Sequence, residues 1–289
     1  MATVLAVGIA TLDLIQEVDH YPAEDEELRA QALRRRRGGN ATNTLEVLAR
    51  LGHRCRWAGN LADDPDSTLV SEQLHALGID LSAVRRHPGG QLPLSTIWLN
   101  RATGSRTIVH YRNLPEYDHQ DFARLDLSDL DWIHFEGRAP DQLGPMLERA
   151  RRRLPGRISL EVEKPRPGIE ALFTLADRLL FSRHYAQARG YQAPRAFLQE
   201  VAPGGKTCYL AWGEAGAWCR TAAGDIHHQP APQVQAVDTL GAGDTFNAGV
   251  IHGVLRGWDE NRILEFAVRL AAEKCARVGF AGLEALADG

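Results

Sequence analysis

Short apolar runs alternate with amphipathic stretches along most of the chain. Val4–Ile9, Arg56–Gly59, Trp132–Phe135, Ile158–Val162, Leu179–Ser182 and Cys208–Trp212 read as strands. Apolar positions at helical spacing predict helices over Ala41–Leu51, Asp66–Leu77 and Pro140–Arg152, and over Asp244–Arg256 and Asn261–Val278 in the last third. Leu45, Leu48 and Leu51 share one face of the first helix, and Gly52 stops it; Gly78 closes the second. Repeated strand–helix alternation predicts an α/β fold, a doubly wound and mostly parallel sheet flanked by helices. We expect one domain over residues 1–289.

Two segments break this rhythm. Leu14–Val18 and Leu28–Leu33 read as strands around the acidic turn PAEDEE. Leu94–Asn100 and Arg106–Tyr111 read as a hairpin around RATGS. Together, over about residues 12–36 and 92–112, they predict a small antiparallel β lid beside the main sheet. A sheet with an uncovered face needs a partner or a task, such as closing over a ligand or pairing with a second subunit. The plainer alternative is a decorative insertion.

Composition narrows the possibilities. The 289 residues are enough for a sizeable core, and the net charge of -4 argues against a nucleic-acid partner. The arginine run at 34–37 therefore reads as a solvated edge. The four cysteines (Cys55, Cys208, Cys219, Cys275) are scattered, with no CxxC pair, so neither a zinc site nor a redox pair is signalled. The apolar start MATVLAVGIATLDLI has no preceding basic residue and is interrupted by Asp13, a poor signal peptide. No apolar run approaches membrane-spanning length, so no membrane partner is expected. With scattered thiols these features predict a cytoplasmic protein. The sequon Asn40-Ala41-Thr42 then reads as accidental.

The chemistry concentrates in DTLGAGDTFN, residues 238–247. PGGKT at 203–207 fails as a Walker loop, because Glu200 stands where its first glycine belongs. GAGDTF fails as a dinucleotide fingerprint, because Phe246 replaces the third glycine. Small residues ahead of a helix nevertheless let an anion approach the unpaired amides of its N-terminus. Phe246, Val250 and Val254 recur at helical spacing, while Ala248, Gly249 and Gly253 allow close packing against the sheet. Asp244 could be a plain N-cap. Facing an anion pocket, it would instead take a proton from a hydroxyl attacking a phosphoryl group. The helix dipole is expected to lower its pKa. A second set, Asp13 with Gly38, Gly39, Asn40 and Asn43 of RRGGNATN, mixes the donors and acceptors that a sugar site needs. Each residue alone would read as a turn or cap.

From Val4 to about Gly282 the chain resembles the ribokinase-like (phosphofructokinase B) carbohydrate kinases. DTLGAGDTFNAG looks like that family's C-terminal signature and RRGGNATNT like its N-terminal glycine-rich segment. GSRTI, WIHFEGR, EVEKPR and AWGEAGA resemble its ketohexokinase branch. The resemblance implies transfer of the γ-phosphoryl of Mg-ATP to the 1-hydroxyl of D-fructose or a similar ketose, with Asp244 as general base. It implies an anion hole at Gly241, Ala242, Gly243 and the Asp244 amide, and a ketose held by Asp13, Gly39, Asn40 and Asn43. Arg106 from the lid and Arg138 would meet the ATP phosphates. Gly213, Glu214, Ala215 and Gly216 would line the nucleotide pocket, with Cys275 near the adenine. Asp238 and Thr239 would hold a monovalent cation such as K+. The family's Asn-x-x-Glu motif is absent, since Ser182-Arg183-His184-Tyr185 stands in its place, so Mg2+ would be held through water by Glu161 or Glu163. A homodimer through the lid is also implied. The rivals are another acceptor (a nucleoside stacking on Trp98 or Tyr111, ribose, or a sugar acid) and a silent sugar- or nucleotide-sensing paralogue.

Overall fold

The computed structural model describes residues 1–287. In chain order its elements begin with β1 (Thr3–Val7), β2 (Thr11–Val18), β3 (Ala32–Gly38), α1 (Asn40–Arg50), β4 (Arg54–Ala58), β5 (Asn60–Ala62) and α2 (Pro65–Ala76). They continue with β6 (Arg85–His87), β7 (Leu94–Asn100), β8 (Arg106–Tyr111), α3 (His119–Ala123), β9 (Trp132–Glu136), α4 (Pro140–Arg153), β10 (Ile158–Val162) and β11 (Arg178–Ser182). The chain then forms α5 (Arg183–Ala188), α6 (Pro194–Glu200), β12 (Thr207–Ala211), β13 (Ala217–Arg220), β14 (Ile226–Gln229), α7 (Ala242–Leu255) and α8 (Glu260–Cys275).

The main sheet runs β14-β13-β12-β11-β10-β9-β1-β4, parallel from β4 to β12 and antiparallel over the last two strands. Its central strands are buried end to end, as a sheet covered on both faces requires. One face packs on α4, α5 and α6, the other on α1, α7 and α8. The strand order reverses at β1, which is flanked by β4 and β9. In a doubly wound sheet the crevice beyond the strand ends at such a reversal is where ligands bind.

The lid is a four-stranded sheet, β3-β2-β7-β8. It joins two antiparallel pairs through a parallel β2–β7 contact, because its two hairpins leave the main body in the same direction. The strand expected at Leu28–Leu33 lies instead at Ala32–Gly38, carrying the arginines with it. Edge position is correct for that strand, but a solvated arginine run is not. Arg35 reaches outward to Asp66, while Arg36 pairs with Asp238 and Arg37, 3% exposed, pairs with Glu46. The close packing expected of Gly249 and Gly253 against the sheet is made against α8. A Cβ on Gly249 would meet Ala267 Cα at 2.7 Å, and one on Gly253 would meet Ile263 Cγ1 at 2.8 Å. The antiparallel β13–β14 pair gave no sequence signal, since AWCR and IHHQ are short and mixed in polarity.

Candidate active site

A cavity of about 610 Å³ opens between the lid and the carboxyl ends of the main strands. It brings together Asp13, Gly39, Asn40, Asn43, Arg106, Arg138, Glu161, Glu163, Thr239, Gly241, Ala242, Gly243 and Asp244, all singled out from the sequence. Gly39 and Gly38 are bare for steric reasons. Gly39 has φ 104° and a Cβ there would lie 2.2 Å from the Ile9 carbonyl; a Cβ on Gly38 would lie 2.2 Å from Asp13 Oδ2. The chain thus passes from lid to α1 through a gap that admits backbone only.

Asp244 does not cap α7. Gly241 is the N-cap, in the left-handed region at φ 83°, and no side chain caps this end. Thr245 donates the first helical bond, to the Gly241 carbonyl. Ahead of it the Ala242 amide donates to the Thr239 carbonyl at 3.3 Å, and the amides of Gly241, Gly243 and Asp244 form the open, positive end of the helix. A Cβ on Gly243 would meet nothing within 4 Å, so the approach to those amides is clear. The buried Asp244 carboxylate accepts from Asn43 Nδ2 at 2.7 Å. Its pKa is pushed up to about 7, against the expectation from the helix dipole. Burial is the main cause; the Asn43 bond opposes it, and the carboxylates of Glu163 and Glu136 add to it.

Acidic neighbours crowd this end of the cavity. Glu161 Oε1 accepts from Asn40 Nδ2 at 3.1 Å and from Asn247 Nδ2 at 3.0 Å, while its buried Oε2 has no protein partner. Asn40 Nδ2 also reaches Glu163 Oε2 at 3.2 Å. Burial, then the nearby Asp244, Glu136 and Glu163, hold the Glu161 carboxyl well above its ordinary range. An orphaned buried oxygen among raised carboxyls suits a hard divalent cation. Among the described residues no group of three His, Cys, Asp or Glu side chains is assembled that could hold a metal ion.

Asp238 and Thr239 are otherwise engaged. The Asp238 carboxylate accepts from Lys274 Nζ at 2.8 Å, Arg36 Nη1 at 3.0 Å and the amides of Leu240 and Gly279. Its backbone carbonyl also accepts from Lys274 Nζ, at 2.8 Å. The Thr239 hydroxyl accepts from Arg106 Nη1 at 2.9 Å, tying lid to core. These oxygens already face protein cations, so the residues present do not fit a monovalent cation at Asp238.

The remaining residues sit as follows. Asp13, on β2, accepts from the Thr11 hydroxyl at 3.0 Å, and burial raises its pKa. Arg138 bridges Glu116 and Glu136. Gly213–Ala215 make a short 3-10 turn past the end of β12, where Ala211 lines the cavity, and Gly216 follows. Cys275 ends α8, with its carbonyl accepting from the Val237 and Asp238 amides.

Residues 1–284 match the family described as pfkB family carbohydrate kinase. The chain belongs to that family. It is 38% identical to ketohexokinase of Mus musculus, over 97% of this chain and 98% of that protein. An ATP-dependent ribose-1-phosphate kinase of Halopiger xanaduensis is 26% identical over 96% of this chain and 94% of its own. Ribokinase of Thermotoga maritima superposes with a TM-score of 0.78 over 100% of both chains at 21% identity, a likeness of fold alone. As a pfkB kinase the chain is an ATP-dependent sugar kinase.

Glu136, Asn247, Arg37 and His110 are among the cavity side chains that sequence reasoning missed. Glu136 accepts from the amides of Ile9 (2.9 Å) and Ala41 (3.4 Å), binding the end of β1 to the start of α1. Asn247 orients Glu161. Both lay inside quoted motifs, WIHFEGR and DTLGAGDTFN. Arg37 was hidden in an arginine run, and His110, which contacts Ser95 across the lid, carried no signal at all.

Proposed function

We propose that this kinase transfers the γ-phosphoryl of Mg-ATP to the 1-hydroxyl of D-fructose or a closely similar ketohexose. The observation that carries the reading is Asp244, whose carboxylate faces the cavity beside an open helix end and caps nothing. Asp13, Asn40 and Asn43 hold the acceptor hydroxyls, and Asp244 takes the proton as the hydroxyl oxygen bonds to phosphorus. The open amides at Gly241, Gly243 and Asp244 stabilise the charge on the transferring group, with Ala242, whose amide bonds the Thr239 carbonyl, beside them. Arg106 closes over the phosphates from the lid, and Arg138 supports it. Gly213, Glu214, Ala215 and Gly216 form the base end of the nucleotide site, with Cys275 beside it. Mg2+, when bound through water at Glu161 and Glu163, supplies charge neutralisation of the phosphates.

The direction of the lid side chains favours a sugar over a nucleoside. Along β7 and β8, Ile97, Ile108 and His110 line the cavity, whereas Trp98 and Tyr111 alternate away from it. Trp98 Nε1 bonds Gln16, and Tyr111 is 52% exposed. Neither Trp98 nor Tyr111 therefore offers a platform for a base on the acceptor side. The ketohexokinase relative supports the same choice. A coupled ADP-release assay over ketoses, aldoses, ribose 1-phosphate and nucleosides tests it. D-fructose is expected to give the highest kcat/KM, and activity confined to nucleosides or a pentose phosphate would overturn the reading.

A further inference from the structure

Arg37 is 3% exposed on β3, two residues beyond Arg35, which is exposed. Its Nη2 meets Glu46 Oε2, and its Nη1 donates to Asn43 Oδ1 at 3.0 Å. Asn43 Nδ2 in turn donates to Asp244 Oδ2 at 2.7 Å. A guanidinium has only donors. Facing it, the Asn43 carboxamide must present its oxygen, which leaves its NH2 for the aspartate. Without Arg37, the carboxamide could turn over and set its oxygen against the carboxylate.

We infer that Arg37 is a positioning residue, which fixes the Asn43 carboxamide with its NH2 toward Asp244 and so holds the base in line with the acceptor hydroxyl. This rests on the reading of Asp244 as general base. Glu46 serves as the other anchor. It is itself held by Arg50 through Nε at 3.1 Å and Nη2 at 2.9 Å, so it keeps a cationic partner when Arg37 is replaced.

Steady-state kinetics with D-fructose and Mg-ATP test the inference in Arg37→Met and Arg37→Lys, each also combined with Asn43→Ala. Arg37→Met is expected to lower kcat roughly 10–100-fold, the scale of one hydrogen bond to a charged group. Its KM for ATP should stay unchanged. Arg37→Lys, which still donates to Oδ1, should recover most of kcat. In the Asn43→Ala background, Arg37→Met should change kcat less than about 3-fold, since the residue through which it acts is gone. A normal kcat in folded Arg37→Met, or its full effect persisting without Asn43, overturns the inference; so does a rise confined to the sugar KM. If Arg37→Met does not fold, Arg37→Gln replaces it. There the NH2 is drawn to Glu46 and the carbonyl turns to Asn43, so the same loss and the same non-additivity are expected. Asp244→Asn run alongside separates the two readings. If it keeps kcat, the base assignment fails; if it loses kcat while the Arg37 variants do not, only the positioning role fails.

Discussion

Asp244 and Asp13 are aspartates facing one cavity, and the proposed reading gives them different tasks. Asp244 lies on α7 among other carboxyls, and burial has raised it to about 7, so it accepts a proton readily near neutrality. Asp244→Asn keeps the shape and removes the acceptor; it should lower kcat roughly 10²–10⁴-fold and leave the KM for ATP unchanged. Asp13→Asn, by contrast, should chiefly raise the KM for sugar, as loss of a ground-state hydroxyl ligand does. Steady-state kinetics on both variants, with folding checked by circular dichroism, separate these outcomes. Wild-type kcat/KM should also fall on the acid side of about pH 7, and Asp244→Asn should lose that limb. Stability carries the opposite sign from that of an ordinary paired aspartate. The folded chain keeps a proton on Asp244 between its ordinary value of 3.8 and about 7, where the unfolded chain has released it. Stability is therefore lost as pH rises through that window. Glu136 and Glu161 are raised too and act in the same direction. Thermal melts without ligand should show Asp244→Asn melting above wild type at pH 8, with the gap closing toward pH 4.

At the scale of elements, the loop before α7 is held by α8. The Lys274 side chain is fully buried and bonds both the carboxylate and the carbonyl of Asp238, a few residues ahead of the open helix end. Lys274→Met leaves Asp238 with Arg36 and two amides, and breaking a buried pair from one side costs about 3–5 kcal/mol. Denaturant melts should show a loss on that scale, and a change under about 1 kcal/mol would show that Arg36 alone suffices. This link was not legible in the sequence, because Lys274 lies far along the chain from Asp238 inside an ordinary amphipathic helix. What could be read were elements that announce themselves locally. Ile158–Val162 and both lid hairpin strands fall where their apolar runs and turn residues put them. The strand carrying the arginines was misread because its inward side chains are charged and neutralised by carboxylates of other elements, Glu46 on the following helix and the distant Asp238. The site was legible at the glycines, asparagines and aspartates whose types suit a sugar or an anion, while Glu136 and Asn247 went unread inside the same motifs. It was not legible where a side chain meets its partner on another element, as Arg37 on β3 meets Asn43 on α1.

The whole molecule leaves one edge of the lid bare. β8 ends the lid sheet and is exposed along its length, with Ile108 at 48%, Val109 at 56% and Tyr111 at 52%; Leu33 at the opposite edge is 61% exposed. An apolar, unpaired strand edge is a surface that proteins cover, and a second copy of the lid is the partner proposed here. Light scattering at micromolar concentration should give twice 31.9 kDa, and Val109→Lys should shift the protein toward monomer. A wild-type monomer would remove the proposal. No described helix is long and apolar enough to cross a membrane. Body and lid enclose a polar cavity that brings Asp13, Asp244 and the open end of α7 together, so under the proposed reading the position of the new ester reports on all of them at once. The decisive measurement is phosphorus–proton correlation NMR on the product formed from D-fructose and Mg-ATP. The phosphorus is expected to couple to the protons on C1, giving fructose 1-phosphate. Coupling to the C6 protons, or no ester from fructose at all, would contradict the assignment of this site.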